Sequence, residues 1–401
     1  MKQILFISLI CFTLISKADY WLPKTNYPHV TAAAVSFSIG TKGYLGGGGN
    51  YSIVKKDFWE YNSLTNAWTQ KADLGGGRRY GGIGFSIGNK GFIGMGGESI
   101  FLSVFKDDFW EYDTTLNIWT QKGNFPGGPR LASVSFVIGD KAFVTTGKND
   151  TINVNDLWEY YPATDTWIQK ASIPTTTRSG AIGFAIGNKG YVGLGYDNNG
   201  MLLNDFWEFD SLSNSWSQKS YFPGTARANA IGFGLSGRGY AGIGESPWGS
   251  FNSSFYQYNP HTDTWNQKAS FGGGLRDEAI FMVIGNKAYV GTGGAYPGIY
   301  SDLWEYIPDS IETGMEELHA FNSRFYISPN PSKEFIRIGD ELEQNKIYEI
   351  SILNSEGKIC LHTLNYSSQT KINIFNFLKG IYFVEISDGK NKALKKFVKE
   401  E

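Results

Sequence analysis

The chain has 401 residues, with 36 Lys and Arg against 38 Asp and Glu and a net charge of −2. So even a balance supplies no global field to recruit nucleic acid or an anionic membrane, and the length allows two or three domains. The 50 Gly, 12 Trp, 23 Tyr and 28 Phe suit many short strands joined by tight turns, because aromatics fill pleated surfaces and Gly supplies positive φ.

The first 18 residues read as a signal peptide. Met1 and Lys2 form a short positive region, residues 4–15 are apolar, and Ser16-Lys17-Ala18 supplies a small residue at the cleavage point. The apolar run is too short to span a bilayer comfortably, so no transmembrane anchor is expected after cleavage. Removing the segment also removes Cys11 and leaves Cys360 alone. Export without an intramolecular disulfide fits a bacterial secreted protein.

Residues 19–306 carry one repeat of roughly 49 residues, six times over. The clearest anchor is Asp-Phe-Trp-Glu-Tyr at residues 57–61 and 108–112, varied at 156–160, 205–209, 254–258 and 302–306. In the first five copies a Trp-x-Gln-Lys follows, at Trp68, Trp119, Trp167, Trp216 and Trp265. A second anchor opens each repeat with Arg79, Arg130, Arg178, Arg227 or Arg276, and with Thr31 in the first.

Each repeat predicts four strands. In the fourth copy, residues 181–186 form the first, Gly187-Asn188 a two-residue hairpin, and 191–195 the second. Residues 205–209 form the third, and the stretch around Trp216 the fourth. Small residues in the first strands suit crowding at a central axis, and Trp and Tyr in the outer strands suit the widening gaps between blades. The sixth copy stops after its third strand. Residues 19–24 match Trp-x-Gln-Lys at Trp21 and Lys24, so the N-terminal segment is expected to supply the missing strand and leave no open sheet edge.

This pattern of a basic residue, a Gly-Gly-like strand end, a Tyr and a spaced Trp resembles the kelch repeat. The resemblance implies an all-β, six-bladed propeller like the central domain of galactose oxidase. The related copper-radical oxidases need a Cys–Tyr crosslink and two His ligands. The repeats contain no Cys, which excludes that activity. The four His (His29, His261, His319, His362) fall in separate segments, so no metal site and no cofactor are expected. No phosphate loop, dinucleotide fingerprint or nucleophile elbow is present.

Residues 307–325 lose the repeat and read as a linker. Residues 326–401 return to short alternating strands between turns, which predicts a small β-sandwich. Ser328-Pro-Asn-Pro331, Asn354-x-x-Gly357, Leu378-x-Gly380-Ile381-Tyr382 and a Lys-rich last strand resemble the type A sorting domain of the type IX secretion system. The resemblance implies export across both membranes, a secreted or cell-surface location, and the type IX machinery as a partner.

The candidate site lies on the face carrying the loops between second and third strands. Five Arg (79, 130, 178, 227, 276) are expected either to line that rim and attract anionic groups, or to tie blades together. Asp277 and Glu278 stand where other repeats have small or apolar residues, and are weak candidates for proton transfer. Phe101, Trp248, Tyr296, Asn198 and Asn199 in the variable loops suit sugar or peptide contacts. The leading expectation is a non-catalytic extracellular propeller that binds a protein, peptide or glycan. One alternative is a sugar-modifying enzyme resembling the kelch-type sialic acid mutarotase, with Arg276 holding a carboxylate. Another is a structural or adhesion component of the cell surface.

Overall fold

The computed structural model describes residues 19–50, 52–99, 104–309, 325–340, 347–355, 358–367, 370–388 and 392–400. The expected signal peptide and nearly all of the expected linker lie outside the described residues. The chain divides into two compact units, one of them 18–308.

The larger unit holds six four-stranded antiparallel sheets. Blade four is representative: Ile182–Ile186, Lys189–Gly193, Phe206–Asp210 and Ser215–Lys219 pair in chain order. Its second strand stops at Gly193, two residues before the sequence suggests, because Leu194 and Gly195 both take positive φ. Blade six consists of Ile280–Ile284, Lys287–Gly291 and Leu303–Ile307, with Tyr20–Lys24 as its outer strand. Trp21 lies opposite Tyr306 in that pairing.

Two rings of hydrogen bonds join the blades. On the inside, one residue per blade (Ala33, Gly81, Ala132, Gly180, Asn229, Glu278) takes a left-handed φ of 51–62°. Each N–H donates to the carbonyl of the preceding blade's counterpart at 2.7–3.1 Å, and Ala33 closes the circle on Glu278. The left-handed backbone is what turns each N–H along the circle, although only Gly adopts it without strain.

On the outside, an Asn or Asp in each strand-three-to-four turn receives an N–H from the neighbouring blade. Asn66 takes that of Thr25, Asn117 that of Ala72, and Asp263 that of Ser220, each at 3.0 Å. Asp19 completes the set by accepting from Ala269 at 2.6 Å. The repeated Trp returns the clasp: the indoles of Trp68, Trp119, Trp216, Trp265 and Trp21 donate to the carbonyls of Thr25, Ala72, Ala171, Ser220 and Ala269.

First-strand residues face the axis, and their small size has a steric cause. A Cβ on Gly84 would stand 2.7 Å from the Ser36 carbonyl oxygen of the adjacent blade. Between blades the packing is aromatic, as where Phe206 meets Tyr258 and Trp265 at 5.0 Å centroid separations.

The smaller unit has one sheet of Ile359–Ser367, Ile347–Asn354, Gly380–Ser387 and Lys392–Lys399, and another of Phe325–Ser328, Phe335–Asp340 and Ile372–Asn373. They share a core that includes Phe325, Ile336, Ile350, Val384 and Phe397. Among the described residues, no helix is long and apolar enough to cross a membrane.

Candidate functional site

The five Arg do not line the rim. All are buried, with at most 2% of their surface exposed. Arg178 pairs in bidentate fashion with Asp205, with Nη1–Oδ1 and Nη2–Oδ2 both 2.7 Å, and Nη1 also donates to the Leu194 carbonyl. Arg79, Arg130 and Arg276 do the same with Asp108, Asp156 and Asp302. Each of these Asp also accepts from the indole two residues on, as Asp205 does from Trp207 at 2.8 Å. The Arg backbone carbonyl receives the N–H of the preceding blade's positive-φ Gly, for example Gly147 to Arg178 at 2.9 Å. These Arg therefore lock each blade's loop base and bind it to its neighbour, which is the structural alternative of the sequence reading. Arg227 differs, because Ser254 replaces the Asp. Burial without a carboxylate partner lowers its pKa to about 10.

What opens on the loop face is acidic. A cavity of about 460 Å³ lies at the mouth of the channel, on the side of blades five, six and one. Its lining includes Tyr80, Glu245, Phe251, Asp277, Glu278 and Tyr296. Two repeat positions generate this mouth. The residue after each Arg pairs by an antiparallel bridge with the residue after the positive-φ Gly at the end of strand two. Blade five thus brings Ala228 to Glu245, and blade six brings Asp277 to Gly294. The next residue belongs to the inner ring, so Asn229 and Glu278 project from a circle whose other four members are Ala or Gly.

The carboxyl groups depend on one another. Tyr196 donates its hydroxyl to Glu245 Oε2. Burial, then the charges of Glu278 and Glu245, push Asp277 up to about 7 against an opposing hydrogen bond from Asn229. Glu278 keeps solvent contact through the cavity. Desolvation by the channel walls, followed by the Glu245 charge, raises its pKa too. Near neutral pH the mouth therefore offers both carboxylic donors and carboxylate acceptors. Burial and the neighbouring acids raise Tyr80 and Tyr196, so both hydroxyls stay protonated.

Of the loop residues expected to contact a ligand, Tyr296 lines the cavity and is 82% exposed. Trp248 does not line it. It stands fully exposed at the tip of the hairpin built from Glu245–Ser246 and Ser250–Phe251. Asn198 braces loops instead, accepting from Asn153 N–H at 2.6 Å and donating to Thr177 at 2.7 Å. Asn199 closes a turn on Asp197. Phe101 lies outside the described residues. Sequence reasoning missed Tyr80, Tyr196, Asn229, Glu245 and Phe251. Among the described residues, no group of three His, Cys, Asp or Glu is arranged to hold a metal ion.

Residues 326–400 match the Secretion system C-terminal sorting domain family. A comparison with curated proteins finds no match. Among solved structures, the chain is similar to that of YjhT, at 16% sequence identity and a TM-score of 0.62, covering 70% of this chain and 95% of that one. At that identity the likeness speaks for the fold alone. The sorting domain marks the chain for export to the cell surface or the medium. The chain thus folds as a six-bladed β-propeller and carries, over residues 326–400, a C-terminal secretion-system sorting domain.

Proposed function

We propose that the propeller is an extracellular recognition module that holds its ligand in the cavity at the mouth of the channel. The observation carrying this reading is that departures from the repeat converge there. Glu245, Asp277 and Glu278 replace residues that are small, apolar or uncharged in most repeats, and they meet Tyr80, Phe251 and Tyr296 around one space. A regular propeller has no reason to cluster carboxylates at unfavourable protonation cost, so a ligand that uses them accounts for the arrangement. Screening the mature chain by ligand-observed NMR against glycans and peptides tests it. Binding weakened about tenfold by Tyr296→Ala supports the reading, because losing one buried contact costs about 1.4 kcal/mol. Binding indifferent to substitutions at both Tyr296 and Glu278 overturns it.

A second reading, proton transfer on a sugar, is favoured by one feature: Asp277 titrates near neutrality, where a general acid–base group works best. Its difficulty is Arg276, which is bound to Asp302 and cannot hold a substrate carboxylate. Acceleration of sugar anomerisation that vanishes in Asp277→Asn would establish this reading over simple binding.

A further inference from the structure

We infer that the cavity selects a protonated alkylamine, an inference that rests on the recognition reading above. The charge pattern of the propeller points to it. Most of its other repeat acids have cations beside them: Asp108, Asp156, Asp205 and Asp302 have Arg, and Glu60, Glu111, Glu159, Glu208 and Glu305 have Lys, while Asp57 has His29 at 3.5 Å. At the channel mouth three acids share one space with no basic partner among the described residues. Glu245 receives a tyrosine hydroxyl and Asp277 an amide. The Glu278 carboxyl receives neither and is exposed to both the cavity and the constriction beneath.

Mutual repulsion among carboxylates that share one cavity is relieved by a cation. A bare metal ion fits poorly. The carboxylates do not converge as a ligand set, and the space, about 460 Å³, is that of an organic molecule. Tyr80, Phe251 and Tyr296 supply aromatic walls, which attract an ammonium group through their faces and pack against its alkyl stem. An ammonium has three donors for separate acceptors. Lysine side chains and amino sugars both present this group.

The test titrates the full mature chain by NMR with n-butylammonium, N-acetyl-lysine methylamide and glucosamine. The matched neutral probes are n-butanol, N-acetyl-norleucine methylamide and N-acetylglucosamine. The expected result is at least about tenfold preference for the amines, one decade being one ligand-charge contact. That preference should be lost in Glu278→Gln and in Glu245→Gln, with the unfolding midpoint unchanged or raised. The lysine and glucosamine arms then separate a peptide from a sugar source. Equal binding of amines and neutral probes, unchanged by Glu278→Gln but weakened by Tyr296→Ala, overturns the amine inference and leaves the recognition reading standing. If no probe of either kind binds and a wider glycan and peptide screen is also silent, both fall.

Discussion

Arg178 and Asp205 meet 27 positions apart in the chain as a buried, bidentate pair with two 2.7 Å hydrogen bonds. The pair explains why one Arg and one Asp recur in nearly every repeat. Removing Arg178 would leave a largely buried carboxylate with only the Trp207 indole and the Thr175 hydroxyl as side-chain donors, and breaking such a pair costs about 3–5 kcal/mol. Arg178→Ala should therefore lower the stability of the propeller by that amount, measured by denaturant unfolding. Burial alone would raise the pKa of Asp205, but Arg178, Trp207 and Thr175 outweigh it and leave the carboxyl below its usual value. Its contribution is thus complete above the unfolded pKa and lost as pH falls through the folded one. The gap between wild type and Asp205→Asn should close under strong acid.

Blade five runs the converse experiment. Arg227 has Ser254 in place of the Asp, at 3.1 Å, and burial pulls its pKa down to about 10. Ser254→Asp should restore the pair and stabilise the protein by about 1.5–3 kcal/mol, the range for a hydrogen bond to a charged group. A lower unfolding midpoint in this variant would mean that the blade has repacked around the hydroxyl.

The repeat made the fold legible, because a strand pattern recurring six times in register leaves little choice of architecture, and Trp21 with Lys24 located the closing strand. The sequence left the Arg between a rim role and a blade-locking one because their partners lie 26–29 residues away, across the most variable loop. Their regular recurrence alongside an equally regular Asp was the available clue. The site was half legible for a related reason. Asp277 and Glu278 stood out as departures within one strand start. Glu245 does not stand out in the same way, since its place beside them depends on a bridge to Ala228 and on the inner ring, neither of which has a local sequence signal.

Ring closure should depend on residues 19–24. Asp19 Oδ2 accepts from Ala269 N–H and the Tyr306 hydroxyl at 2.6 and 3.0 Å. Trp21 packs on Phe271 and Tyr306 at centroid distances of 4.8 Å. Trp21→Ala should cost about 3–5 kcal/mol, as for other buried aromatics. Deleting residues 19–24 should expose the edge of Leu303–Ile307 and produce concentration-dependent association, seen by light scattering.

Asp277 should tie stability to pH in the opposite sense from Asp205. Its folded pKa of about 7 lies above the ordinary aspartate value of 3.8, so the folded state binds a proton more tightly than the unfolded one. No penalty exists below pH 4. It grows between 4 and 7 and is complete above 7. Asp277→Asn should accordingly stabilise the protein at pH 8, by on the order of 1–2 kcal/mol once solvent screening is allowed for, and make no difference at pH 4. Equal unfolding midpoints at both pH values would show that the acids at the mouth do not interact.

Glu278 carries two costs at once, a left-handed φ of 51° and a raised pKa in the company of Glu245. Strain of this kind is worth about 1–3 kcal/mol for a residue other than Gly. Glu278→Gly relieves both while keeping the backbone link from Asn229 to Ala33, because the ring bonds use main-chain atoms alone. The variant should unfold later than wild type at pH 8 and fail to bind whatever the cavity holds. That combination separates a residue retained for recognition from one retained for the blade. If Glu278→Gly unfolds earlier, the side chain supports the ring, and its place at the mouth has a structural explanation.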